Sequence, residues 1–138
     1  MTDLQDTISD IYSSLQTRLG SNEACHFLAL CSIAHEATGR QVDICNAIIT
    51  AYTHNLIEAS FYVKDALGLL FLLTGHNWKV RSVQDLPKNL KKNEFTEIKW
   101  RNPNTGKVHF TRRYVDTLRN SITVRDGIIE EYRIYEEL

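Results

Sequence analysis

An α+β fold is predicted for this chain by three observations. Apolar residues recur at helical spacing through the first half, they alternate through the second, and the two halves do not interleave as βαβ units would. The expected organisation is a single domain, with an N-terminal helix over 1–20, a helical half over 21–75 and a sheet half over 76–138. A chain of 138 residues suits one core, since at this length roughly 68% of the unfolded surface is buried on folding.

The opening stretch from Asp3 to Leu19 places Ile8, Ile11, Tyr12, Leu15 and Leu19 on one stripe and stops at Gly20, which predicts an amphipathic surface helix. The next segment, HFLALCSIAHEATG, is apolar nearly all round, so a buried helix is expected. Ser21 or Asn22 can cap it, Gly39 ends it, and Cys25 falls at its first turn. A third helix is predicted from Asp43 to about Asn55, with Ile44, Ile48, Ala51 and Tyr52 on one stripe, and a fourth from about Asp65 to Leu73, closing at Thr74-Gly75.

From there the period becomes two. Trp78 to Val83 reads as a strand, and Glu94 to Trp100 as a second with Thr96, Ile98 and Trp100 on one side. Asn102-Pro103-Asn104-Thr105-Gly106 is a turn that folds the chain back into a strand from Lys107 to Arg113. Ser121 to Val124 and Ile128 to Tyr135 flank Arg125-Asp126-Gly127, a tight hairpin signal. A mainly antiparallel sheet of four or five strands, packed on helices, is the result. Phe27, Phe71 and Trp78 are expected in the core.

Composition narrows the function classes. Sixteen basic and seventeen acidic residues leave a net charge of -1, with no general pull toward nucleic acid or an anionic membrane. The N-terminal MTDLQDTISD has neither the basic nor the apolar region of a signal peptide, and no apolar run approaches a membrane span, so a cytoplasmic location is expected. Three cysteines make a disulfide scaffold implausible: Cys25 and Cys31, on one helix, stand about 9 Å apart along its axis. No Cys/His spacing suits zinc, and neither metal nor cofactor is expected. The basic loop Lys88 to Lys92 reads as a solvated surface, and nucleic acid is not an expected partner.

A thiol at a helix start feels unpaired backbone N–H groups and the positive end of the dipole, which favour the thiolate. Only Cys25 is so placed; Cys31 and Cys45 fall within helices. Among the histidines, His26 follows Cys25 and is expected to point away, His35 and His54 lie near helix ends, and His76 is in a turn. His109 lies in V-H-F-T, facing the side of its strand opposite Val108 and Phe110, where a solvated role is the bland alternative. Asp116 is the nearest downstream acid to orient it, with Asp126 the competitor that its Asp-Gly turn already explains.

The order Cys25 opening a buried helix, His109 on a strand and Asp116 soon after resembles the papain-like cysteine peptidase superfamily, including the compact bacterial members related to double-glycine leader peptidases. More narrowly, A-C-H-F-L-A-L-C-S-I-A, V-H-F-T and V-D-T-L-R-N-S-I-T-V-R-D-G-I-I-E-E-Y-R-I resemble a small bacterial and phage-associated group with that plan, over about residues 20 to 135. The resemblance implies Cys25 as nucleophile, His109 as acid/base, Asp116 as orienter, and a peptide or protein substrate whose amide is cleaved or transferred. The family holds an oxyanion-stabilising Gln about half a dozen residues before the Cys; Leu19 stands there here, leaving Asn22 and Gln16 as the available amides.

Two rival readings accompany it. One keeps the papain-like fold as an inactive binding module. The other takes the second and third helices as a helix-turn-helix with a later hairpin as wing, against which Val42 to Tyr62 contains no Lys or Arg to read DNA. Arg112 and Arg113, between His109 and Asp116, are candidates for holding an anionic substrate group. The oligomeric state is not encoded in any pattern of the sequence.

Overall fold

The computed structural model describes residues 7–9, 11, 12, 15, 24–112 and 127–138. The helical residues at 7–9, 11, 12 and 15 lie within the predicted N-terminal helix, with Ile8 and Tyr12 buried and Leu15 packed against the core.

Helix α1 (Ala24–Thr38) is the centre of the helical layer. Phe27, Leu30, Cys31 and Ile33 are fully buried, as an all-round apolar sequence demands. It ends at Gly39, whose φ of 72° suits a residue without Cβ and whose N–H donates to the His35 carbonyl at 2.8 Å. Helix α2 (Ile44–Thr53) starts at Asp43, whose side chain accepts from the Asn46 N–H at 3.2 Å. Its buried stripe runs through Ala47 and Ala51, flanked by half-buried Ile44 and Ile48. Tyr52, expected on that stripe, is exposed, because it is one helical step past Ala51 and turns about 100° away. Helix α3 (Ala66–Thr74) is capped by Asp65 and closed by Gly75 at φ 77°.

Strands β1 (Trp78–Val83), β2 (Glu94–Arg101), β3 (Val108–Thr111) and β4 (Ile128–Glu137) form one antiparallel sheet in the order β1-β4-β2-β3. The β2–β3 hairpin closes through the Asn102 N–H to the Lys107 carbonyl at 2.9 Å, with Gly106 at φ 74°. A bulge opposite Lys99 and Trp100 leaves Glu130 out of the β4 ladder, so that Ile129, rather than Glu130, pairs with Trp100. The expected strand Ser121 to Val124, the segment Tyr114 to Leu118 and Asp126 fall outside the described residues.

One sheet face bears Phe95, Glu97, Lys99, Phe110, Arg133 and Tyr135 and packs on the helices; Phe95, Tyr135 and Trp78 join Phe27, Leu30, Leu69 and Leu70 in the main core. The other face holds a second cluster of Ile98 and Trp100 with Ile129 and Tyr132. Phe71 is 52% exposed, contrary to the expectation that it fills the core, because α3 turns Leu69 and Leu70 inward instead. Among the described residues no helix is long and apolar enough to cross a membrane.

Arg112, at the end of β3, is buried. It donates to the Thr96 carbonyl at 2.6 Å, to Ser32 Oγ at 2.9 Å and to Glu36 Oε1 at 2.9 Å. Those three acceptors make it a staple between sheet and α1, which corrects its reading as a substrate-binding cation. Arg113 lies outside the described residues.

Candidate functional site

Cys25 occupies the first turn of α1 as described and is 7% exposed. It lies in a recess of about 360 Å³ between the start of α1, strand β3 and the connection that precedes α3. That connection is pinned by an Ile57–Val63 bridge and by Phe61, whose φ of 73° is left-handed and whose ring leans on Phe27 with centroids 6.2 Å apart. Pinning Phe61 sets Tyr62, 58% exposed, and Val63 at the rim. From the sheet come Val108 and Phe110 of β3, Lys99 of β2 and Arg133 of β4.

The face of β3 that meets Cys25 decides the fate of the expected catalytic pair. Phe110 points toward α1, since its ring stacks on His26 with centroids 4.2 Å apart and its backbone is hydrogen-bonded to the Cys25 thiol. Strand alternation sends His109 the other way. There His109 is the cross-strand partner of Trp100, whose Nε1 donates to Thr111 Oγ1 at 2.9 Å, and it is 2% exposed. Cys25 and His109 therefore stand on opposite faces of the sheet, and the proposed sulfur–imidazole contact is not made. The other expected site residues, Asp116, Asn22 and Gln16, lie outside the described residues.

Burial also reverses the expected activation of the thiol. Desolvation, aided by the charge of Glu97, pushes Cys25 up to about 11, against the opposing pull of backbone hydrogen bonds at Phe110, His26 and Cys25 itself. Those backbone hydrogen bonds are not enough to offset the loss of water. Cys31 is pushed further up by complete burial, while Cys45 is exposed.

No protein-family model, curated protein or solved structure matches the chain.

The residues that the recess does bring together are ones the sequence reading passed over. His26, expected to point away, instead engages Glu97 through Nδ1 at 2.6 Å, and Glu97 also accepts from the Tyr135 hydroxyl at 3.0 Å. Glu97 is fully buried, and a carboxylate accepts only, so His26 carries its proton on Nδ1 and leaves Nε2 for the recess. Arg133 lies over the Phe110 ring, 5.1 Å from its centroid. One signal in the sequence could have pointed here: Phe95, Glu97 and Lys99 alternate with Thr96, Ile98 and Trp100, and an acid in the middle of a covered strand requires a partner on the facing helix. Among the described residues no cluster of three or more His, Cys, Asp or Glu side chains could hold a metal ion.

Proposed function

We propose that this chain is a binding module of papain-like plan, in which Cys25 marks a ligand recess instead of serving as a nucleophile. The observation that carries this reading is the placement of the Cys25 thiol and the His109 imidazole on opposite faces of β3. A thiol raised to about 11 adds to it, because at neutral pH only the unreactive protonated form is populated. The papain-like part is supported by a buried helix bearing Cys25, laid across an antiparallel sheet whose third strand bears His109.

Cysteine labelling tests the module directly. Iodoacetamide at pH 7 should modify exposed Cys45 well ahead of Cys25, and Cys25 should become reactive only as the pH climbs toward about 11. Rapid modification of Cys25 at pH 6, or amide cleavage of a peptide that Cys25→Ala abolishes, rejects the module in favour of a cysteine hydrolase acting on a peptide or protein. One observation favours that second reading: Cys25 borders a half-open recess beside an imidazole already oriented by a carboxylate.

A further inference from the structure

We infer that the recess beside Cys25 takes a carboxylate carried on an apolar body, the chemistry shared by a peptide C-terminus ending in a bulky apolar residue and by a free arylalkanoic acid. This rests on the binding-module reading and names what the module holds.

The cationic donors of the lining argue for an anionic acceptor. Among the described residues lining the recess are two permanent cations, Lys99 and Arg133, and the imidazole of His26, but no carboxylate. Neither cation is saturated. Arg133 donates from Nε to Glu131 at 3.2 Å and also meets the Tyr135 hydroxyl, while a guanidinium has five N–H donors in all. Lys99 pairs with Glu130 at 2.8 Å and more loosely with Glu131 at 3.8 Å. Glu130 and Glu131, with Glu97 behind His26 and Arg133, balance the two cations in net charge, so the recess offers cationic N–H donors rather than a positive field, which suits a monoanion better than a phosphate dianion. Arg133 is further held in place by the Phe110 ring, so little side-chain freedom is lost when it receives a carboxylate.

Size and lining argue for the apolar body. A volume of about 360 Å³ lies at the small end of ligand pockets, enough for one aryl side chain and its carboxylate. Val63 and Val108 provide apolar wall, and the neutral Cys25 thiol adds a small soft surface without charge. Tyr62, large, exposed and fixed by the pinned turn, is placed at the mouth to cover whatever projects outward.

The test is a titration of the full chain with 3-phenylpropionate and its primary amide, and with acetyl-Ala-Ala-Phe as free acid and as C-terminal amide. Each acid that binds should do so at least about tenfold more tightly than its amide, the factor that one charge-assisted hydrogen bond supplies. Lys99→Gln and Arg133→Gln should each erase most of that preference, with some loss of stability in both because each side chain is mostly covered and ion-paired. Binding of the peptide acid alone identifies a C-terminus as the source, and binding of both acids shows that the aryl carboxylate suffices. Equal binding of acids and amides, a preference that survives Lys99→Gln, or no binding of either acid at about 10 mM overturns the inference. Cys25-dependent turnover with the acid preference intact would reject only the module reading, whereas an absent preference without turnover rejects only the carboxylate.

Discussion

Glu97 is the residue on which the site is built. A fully buried carboxylate is tolerable only when its oxygens are occupied, and here one meets His26 and the other the Tyr135 hydroxyl. Tyr135 answers in its own titration: burial first, then the charge of Glu97, raise its phenol far above the ordinary range. Replacing Glu97 by Leu strands the buried Tyr135 hydroxyl and the part-buried His26 ring and should cost about 3 kcal/mol in a denaturant titration, much more than an exposed acid would. Because His26 is held at its Nδ1 by that same group, Glu97→Leu should also release the His26 ring from Phe110, read as a changed chemical shift for the Phe110 ring protons. An unchanged shift would mean that the stack alone positions His26.

Among the elements, helices begin and end where short-range chemistry directs. Asp43 and Asp65 accept from Asn46 and Gly68 N–H groups at 3.2 and 2.9 Å, so Asp43→Ala and Asp65→Ala should each cost about 1 kcal/mol in thermal unfolding. Gly75 terminates α3 at φ 77° with open space around it, and Gly75→Ala should cost a comparable amount, about 1 kcal/mol, from backbone strain alone. Between elements, Arg112 is the long-range fastener of β3 to α1. Arg112→Met removes the donor from the buried Thr96 carbonyl and Ser32 Oγ together with the ion pair to Glu36, and should destabilise by about 3 kcal/mol; a change under about 1 kcal/mol would show that apolar packing, and not these polar contacts, seats β3. The end of α1 and both ends of α2 and α3 were legible within a residue or two, since caps, glycines and apolar spacing act over a single turn. Tyr52 and Phe71 were misplaced because periodicity finds a stripe without saying how wide the neighbouring element will cover it.

For the whole molecule, stability should have limits at both ends of the pH scale. Glu94 is held low by a backbone hydrogen bond at Lys91 and then by Arg81, Glu130 to about 2 by Arg101 and then Lys99, and Glu131 by Ser82 and then Arg133. Their folded values lie below the unfolded ones, so their contribution is present above about pH 4.5 and is lost as the pH falls toward about 2. The loss is modest at Glu130, whose pair with Arg101 is part-exposed, and larger at Glu94, whose side chain is buried. On the alkaline side, Cys25 and Cys31 are raised, so their contribution is complete below pH 9 and declines as the pH passes through about 11. Melting temperature followed from pH 2 to 11 should fall at both ends, and Cys31→Ala should blunt the alkaline fall; a flat alkaline limb would contradict the burial of the thiols.

The sequence by itself determined the α+β class, all four described strands, the hairpin at Asn102–Gly106 and the placement of Cys25 on a buried helix, because each follows from local periodicity or turn chemistry. It also established that His109 faces away from Val108 and Phe110. Which of those two faces meets α1 was decided only by tertiary packing. Both faces of the sheet are covered, with Ile98 and Trp100 buried on one and Phe95 and Glu97 on the other, so alternation carried no inside and no outside to choose between.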